Sequence, residues 1–244
     1  MTTDKLVFAL VSFSALVPAI MLHEVAHGWA AWLCGDGTAR ERGRLSLNPL
    51  RHVDPFMSVV LPAMLALSGS RVLFGGAKPV PIDLGRCRNP LQAYWITAAA
   101  GPLCNLVQAV AGALAFAGLG WLVGRAVAAD EPWLWVVRIE RGGWDGFAPV
   151  AYFSVRPWID WCRVWLYCYC ATNAALMFFN LIPIPPLDGS RIVTVLLKGR
   201  ARAAYAGVER YGLLLVFGLL YFPQTGRVLG RLIDGLLSLL GVAL

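Results

Sequence analysis

Long stretches of this chain contain no charged side chain, and that feature limits the possible folds more than any other. Between Leu6 and Gly35 the single formal charge is Glu24, and the stretch from Leu91 to Gly124 has none. At 1.5 Å per residue, either stretch is long enough as a helix to cross a hydrocarbon core of about 30 Å. Hydrophobic residues make up 58% of the sequence and charged residues 14%, which is too apolar for an ordinary soluble surface. We therefore expect an integral membrane protein whose surroundings are a lipid bilayer.

Three further apolar runs are less regular. Phe56 to Ser70 would reach only about 22 Å as a helix, so we expect a re-entrant or interfacial segment there. Val164 to Leu187 ends in a proline-rich stretch, which predicts that its helix stops near Ile182. The last apolar region begins at Tyr211 and is interrupted by Pro223, which is compatible with one broken span or with two.

The predicted fold class is an all-α polytopic membrane protein with about four to six transmembrane helices and a re-entrant segment. Short membrane-associated strands are an option beside the helices. We expect a single domain over residues 1–244, with a Trp-rich extramembrane loop at 128–160 whose aliphatic content is too low for a core of its own.

The distribution of Lys and Arg predicts the orientation, because basic residues favour the cytoplasmic side. The formal charge of +7 does not indicate nucleic acid, since the basic residues lie in short stretches between the apolar runs. If Phe56 to Ser70 is re-entrant, 13 basic residues share one side and five face the other; the 13 lie in 36–55, 71–90 and 191–210. This distribution predicts that the end of the first helix faces the cytoplasm.

The segment His23-Glu24-Val25-Ala26-His27 fits the pattern H-E-x-x-H. Side chains four residues apart lie on one face of a helix, so both imidazoles can reach one metal ion, and Glu24 can accept a proton from water held there. A chance match is less probable here than in a soluble protein, because ionisable side chains inside a membrane helix are costly and usually functional.

Catalytic zinc usually takes three protein ligands, so a third must come from elsewhere in the chain. The residues alone leave two candidates. His52 is the remaining histidine and lies in a polar loop, whereas Asp188 follows the helix-breaking prolines. Irregular backbone at membrane depth occurs only where protein or a water-filled cavity surrounds it, which suits a ligand at Asp188. An ordinary helix N-cap is an equally good interpretation of that aspartate.

Several motifs together resemble the site-2 protease family of intramembrane zinc metalloproteases. That family pairs H-E-x-x-H on one membrane helix with a later Asn-Pro/Asp-Gly motif, which matches Asn180 to Gly189. Four further segments are similar to the short bacterial-type members that lack PDZ and CBS domains: Gly43 to Pro49, His52 to Pro55, Gly76 to Pro81 and Gly101 to Leu106. The resemblance covers about Met21 to Ile192, with a gap at Arg125 to Arg163.

The resemblance implies a role for each matching residue. His23, His27 and Asp188 would be the ligands of a Zn²⁺ cofactor, and Glu24 the general base. Gly101 and Asn105 match a small-x-x-x-Asn element near the active site, and Asn180 matches the asparagine that opens the second motif; we expect these three to bind substrate. Ser190 replaces a frequent second glycine. The implied partners are transmembrane protein substrates in a bacterial plasma membrane, and the implied active site faces the cytoplasm.

A substrate helix must unwind before it can be cut, because its carbonyl groups are hydrogen-bonded within the helix. We expect the unwound segment to add as a strand to the region Arg71 to Pro81 or to the re-entrant segment, with Asn105 or Asn180 holding its backbone. Two other functions use similar residues. Buried His, Glu and Asp also serve ion- or proton-coupled transporters, and a catalytically inactive scaffold could retain the metal.

Overall fold

The structure is a computed structural model that describes residues 3–55, 60, 64, 77–128, 139–140, 150–151 and 157–242. Two of the sequence predictions fall mainly on other residues. Most of the re-entrant segment at 56–70 and most of the Trp-rich loop at 128–160 lie outside the described residues, and both remain predictions. The single-domain prediction for 1–244 also remains one.

Helices account for most of the described chain. The three longest are α1 (Thr3–Leu33), α3 (Pro90–Ala128) and α4 (Pro157–Asn180). The shorter ones are α2 (Thr38–Glu41), α5 (Asp188–Leu196), α6 (Gly199–Gly207), α7 (Gly212–Tyr221) and α8 (Pro223–Leu239), with 3-10 turns at Pro49–Arg51, Leu84–Arg86 and Val208–Tyr211. Two short antiparallel strands, β1 (Ile139–Glu140) and β2 (Val150–Ala151), pair Ile139 with Ala151, and an isolated bridge joins Val53 to Ala77.

The all-α membrane fold is confirmed. Three stretches within the described residues are long and apolar enough to cross a bilayer: Leu10–Leu33, Pro90–Leu122 and Gly199–Tyr221. The helix α4, which begins before the predicted span at Val164, is not among them. Its hydropathy is lowered by polar residues such as Asn173, and that asparagine is completely buried. Polar side chains that face neighbouring helices need not face lipid.

Helix ends follow the prolines closely. The predicted stop near Ile182 is confirmed to within two residues, because α4 ends at Asn180. The last apolar region forms two helices, α7 and α8, which are separated at Phe222 immediately before Pro223. By contrast, α3 continues through Gly101 and Pro102 as one helix. Membrane helices tolerate such a proline because neighbouring groups can satisfy the carbonyl that it leaves free.

The helices α1, α3 and α4 pack against one another, α5 packs on α3, and α8 packs on α4. Alanines fill many of these contacts, because small side chains allow helix backbones to approach closely. The completely buried ones include Ala15, Ala19, Ala98, Ala109 and Ala174. An apolar cluster also joins Cys170 of α4 to Ile233 and Leu237 of α8. This arrangement holds α1 and α3 side by side, with α5 at one end.

Asp36 fixes the end of α1 to the segment that leads into α3. Its completely buried carboxylate accepts hydrogen bonds from the Thr38 amide at 2.9 Å, the Thr38 hydroxyl at 2.5 Å and the Asp83 amide at 2.6 Å. Burial raises the pKa of the Asp36 carboxyl, but these hydrogen bonds outweigh burial and leave the pKa below its ordinary value. The Asp36 carboxylate thus ties the turn after α1 to the segment that precedes α3.

Candidate metal centre

His23, His27 and Asp188 converge at the junction of α1, α3 and α5. The two imidazole Nε2 atoms are 3.0 Å apart, and each lies 3.3 Å from Oδ2 of Asp188. All three residues are buried. They form the one group of three potential metal-binding side chains found among the described residues. The helical spacing predicted from H-E-x-x-H therefore holds, since both imidazoles point to the same place.

Hydrogen bonds on the far side of each ring determine which nitrogen is available. The Nδ1–H group of His27 donates to the backbone carbonyl of Thr97 at 2.6 Å, and that of His23 donates to Oδ1 of Asn105. A neutral imidazole carries one proton, so both Nε2 atoms present lone pairs to the junction. Such contacts from ring nitrogen to carbonyl or amide are typical of metal-binding histidines.

The three converging atoms fit a zinc ion. Oδ2 of Asp188 is buried and has no hydrogen-bond partner. Three atoms with lone pairs and no hydrogen between them repel one another unless a cation lies among them. A tetrahedral zinc ion with ligand bonds of about 2.0–2.1 Å separates its ligand atoms by about 3.3 Å, which is close to the observed spacing. Two imidazoles and a carboxylate also leave a fourth position for water or substrate.

The turn after α4 brings Asp188 to the two histidines. Pro183, Pro185 and Pro186 carry no amide hydrogen, so this turn has few donors to satisfy; the amide of Ile184 bonds to the carbonyl of Ile182, and that of Leu187 to Ile184. Asp188 is the first residue of α5, and the cap position belongs to Leu187, with no side-chain cap bond. The N-cap interpretation of Asp188 is therefore not the geometry observed.

Two neighbouring residues help to hold Asp188 in place. A Cβ atom at Gly189 would lie 2.3 Å from the backbone oxygen of Leu181, so the start of α5 can approach that turn only with glycine. The hydroxyl of Ser190 donates to the Leu187 carbonyl at 2.7 Å, which accommodates the departure from glycine at this position.

Glu24 is held by a backbone amide from the segment before α3. Its Oε2 atom accepts from the amide of Val80 at 3.1 Å. Val80 lies between Pro79 and Pro81, so its amide hydrogen is the single one in that tripeptide. A carboxylate held through one oxygen keeps the other available for proton transfer beside the histidines.

Gly101 lies directly against both imidazoles. A Cβ atom at this position would be 2.5 Å from Cε1 of His23 and from Nε2 of His27, which is far inside van der Waals contact. Only glycine therefore lets α3 pack this closely on the H-E-x-x-H turn of α1. The resemblance assigned Gly101 to substrate binding, and the geometry adds that it makes room for the predicted ligands.

The structure places the two predicted substrate-binding asparagines differently. Oδ1 of Asn105 accepts from His23, and its amide nitrogen donates to Asn173 at 2.8 Å, so both ends of this buried side chain have protein partners. Asn180 lies at the end of α4, where its nitrogen donates to the carbonyl of Leu176 at 3.0 Å. Substrate binding by these residues stays a prediction, and Asn105 has a second role beside His23.

His52 lies outside the group of three. Its Nε2–H donates to the carbonyl of Ser46 at 2.8 Å, within the loop that follows α2, and its ring is buried. Of the two candidates for third ligand, Asp188 is the one that the fold brings to His23 and His27.

Three contacts of the site were not predicted from the sequence: the Thr97 carbonyl, the Val80 amide and the Asn173 side chain. The first two are backbone groups, which carry no sequence signal. Asn173 did carry one, because it is a polar residue inside an apolar helix, two turns before Asn180.

Comparisons with known proteins match this chain to a peptidase family and to zinc metalloproteases. The model of the family described as Peptidase family M50 matches residues 11–222. The "Putative zinc metalloprotease YwhC" of Bacillus subtilis (strain 168) is 32% identical over 219 residues, which cover 90% of this chain and 84% of that protein. The "Putative zinc metalloprotease Rip2" of Mycolicibacterium smegmatis is 29% identical over 232 residues, covering 92% of this chain and 72% of that protein. No solved structure gives a significant match.

Replacing Gly101 by alanine should disturb the metal centre specifically. We expect the purified Gly101→Ala variant to lose at least about tenfold in zinc affinity, because the new methyl group would displace one or both imidazoles. Gly118→Ala in the same helix is the matched control, since a Cβ atom there meets nothing within 4 Å. The affinities are measured by competition with a coloured chelator, and equal values for the two variants would contradict the packing role.

Elemental analysis of the detergent-purified protein tests the ligand set. We expect about one zinc per chain, lost or much reduced in His23→Ala, His27→Ala and Asp188→Ala, because each removes one of three converging donors. His52→Ala should retain the zinc. Retention in Asp188→Ala together with loss in His52→Ala would reverse the assignment of the third ligand.

Proposed function

The chain belongs to peptidase family M50, and from that premise we propose that it cuts peptide bonds in or near the transmembrane segments of other membrane proteins. It is a zinc metalloprotease, and its apolar helices make it an integral membrane protein. Family membership thus favours the protease over the transporter and scaffold alternatives. The observation that carries the proposal is the convergence of His23, His27 and Asp188 in a helical bundle with Glu24 beside them.

The proposed ligands are the two histidines and Asp188, which would hold the ion through Nε2, Nε2 and Oδ2. Zinc at this position would supply a Lewis acid that polarises a peptide carbonyl and makes water acidic enough to lose a proton near neutral pH. Glu24 accepts that proton as the carbonyl carbon is attacked and returns it to the nitrogen of the departing peptide. The Val80 amide keeps the carboxylate directed at the site during both transfers.

In the region Arg71 to Pro81, the residues that the structure describes limit the positions at which a substrate strand can add. In Lys78 to Pro81 the two available amide hydrogens have partners, because Lys78 donates to the carbonyl of His52 at 2.8 Å and Val80 donates to Glu24. Prolines supply no donor at the other two positions. Within these four residues a substrate strand would meet carbonyl acceptors but no free amide donor. Strand addition would therefore draw its amide donors from residues that precede Lys78 or from the re-entrant segment, and Lys78 to Pro81 would position the base.

We also place the catalytic centre towards the cytoplasmic side of a bacterial plasma membrane. The centre lies near the end of α1, and the loops next to that end carry most of the basic residues that favour the cytoplasm. Within these loops, Arg40, Arg51 and Arg86 are exposed.

Glu24→Gln should separate metal binding from catalysis. We expect this variant to keep its zinc, since Glu24 is not one of the converging ligands, and to lose cleavage by at least about a hundredfold, because glutamine cannot accept a proton. Cleavage is measured on tagged transmembrane proteins that the wild-type protein cuts in reconstituted vesicles. Glu41→Gln is the control, because Glu41 is exposed and pairs with Arg86 at 2.8 Å. Undiminished cleavage by Glu24→Gln would exclude Glu24 as the general base.

The orientation can be tested with one introduced cysteine. Leu50→Cys in a chain whose native cysteines are replaced by serine or alanine should react with a membrane-impermeant maleimide in inverted bacterial membrane vesicles and stay unlabelled in intact spheroplasts. Leu50 is suitable because its side chain is 78% exposed in the loop after α2. Labelling in spheroplasts would place this loop, and the catalytic centre with it, on the outer side.

A further inference from the structure

Asn173 is a completely buried amide in the second half of α4, the helix that packs against α1, α3 and α8. A buried amide without partners is costly in an apolar environment. Its nitrogen donates to the backbone carbonyl of Tyr169 at 2.9 Å, and its oxygen accepts from Asn105 at 2.8 Å. Both ends of the side chain thus have partners, one on its own helix and one on α3.

The hydrogen bonds that run from the Tyr169 carbonyl through Asn173 and Asn105 to His23 have fixed directions, because the first group in the series is a backbone carbonyl. The carbonyl of Tyr169 can only accept, so Asn173 must present its nitrogen there and its oxygen to α3. Asn105 must then present its nitrogen to Asn173 and its oxygen to His23. His23 must carry its proton on Nδ1, which leaves the lone pair of Nε2 for the metal.

We infer that Asn173 is a positioning residue for the zinc ligand His23 and acts on it through Asn105. This inference rests on the proposed zinc site. Among the described residues, Asn173 hydrogen-bonds with Asn105 and the Tyr169 carbonyl and with none of the proposed ligands or Glu24, so its effect is to fix the orientation of the Asn105 amide. Without an acceptor at Asn173, the Asn105 side chain can rotate and present its nitrogen to His23, which favours the wrong imidazole tautomer.

If Asn173 served only to join α4 to α3, a different result would be expected from its replacement. Amides that join transmembrane helices contribute only modestly to stability, and they do so wherever two helices are in contact. Gln108 is such an amide, on α3 one turn from Asn105. It is buried, and it accepts from the hydroxyl of Tyr169 at 2.6 Å. Among the described residues, Gln108 forms hydrogen bonds with Tyr169, Ala19 and Cys104 and none with His23 or Asn105, so it provides a matched control.

The test is zinc affinity of the full chain in detergent, measured by competition with a coloured chelator. We expect Asn173→Leu and Asn173→Ser to weaken zinc binding about fivefold to tenfold, at the low end of the range for groups that orient metal ligands. Serine is too short to reach Asn105, and it keeps the proposal testable if leucine prevents folding. Gln108→Leu should bind zinc as the wild-type protein does. Asn173→Asp should also stay near wild type, because a neutral carboxyl group retains one donor and one acceptor.

A double variant tests whether the effect passes through Asn105. We expect Asn105→Leu to weaken zinc binding about tenfold to a hundredfold, and adding Asn173→Leu to change that value by less than about twofold. The visible spectrum of the cobalt(II)-loaded protein should shift in Asn173→Leu and not in Gln108→Leu, because it reports ligand geometry.

Three outcomes would overturn the inference: wild-type affinity in both Asn173→Leu and Asn173→Ser, an equal loss in Gln108→Leu, or losses that multiply in the double variant. Failure of the proposed function is distinguishable from these. In that case the wild-type protein would bind no zinc, or His23→Ala would bind it normally.

Discussion

Three lone-pair atoms directed at one point, with no hydrogen between them, are the feature on which the rest of this structure depends. Such an arrangement is unfavourable away from water unless a cation joins the atoms, because burial weakens solvation and strengthens repulsion. The surrounding bundle supplies what this arrangement needs. Carbonyl and amide oxygens hold the protons of both imidazoles on the outer nitrogens, and a proline-rich turn presents the carboxylate. The site therefore depends on keeping protons off the two Nε2 atoms as well as on bringing the three atoms together.

Close backbone packing gives the centre its precision. At Gly101 the helix α3 lies against the imidazole rings, and at Gly189 the start of α5 lies against the turn that follows α4. Both contacts are closer than any side chain would allow. In a membrane, the gain from packing comes mainly from dispersion and from hydrogen bonds, because lipid tails solvate apolar side chains as well as protein does. Glycine at these two positions allows the close backbone contacts that fix the distances between the proposed ligands.

The sequence predicted the features that depend on local spacing and on backbone chemistry. Two histidines four residues apart had to share a helix face, and prolines had to end α4 near Ile182. Residues alone left the third ligand open between His52 and Asp188, because the choice depends on which loop the fold brings to α1. The resemblance to the site-2 protease family implied Asp188. The Thr97 carbonyl and the Val80 amide could not be predicted, since a backbone group gains its role only from tertiary contact. The residues likewise left open whether the region after Tyr211 is one broken span or two, and the structure has separate helices α7 and α8 on either side of Phe222.

The ligands come from distant parts of the chain, and this has a consequence for biosynthesis. Two of them lie in the first helix, whereas Asp188 follows about three quarters of the sequence. A nascent chain whose first helices have entered the membrane has the proposed base and two of the proposed ligands but not the third. On this assignment, proteolytic competence would arise late in translation, after α1, α3 and α4 have been made. A zinc ion held by these residues would close a loop of about 160 residues, and it would stabilise the assembled bundle much as a disulfide does in a secreted protein.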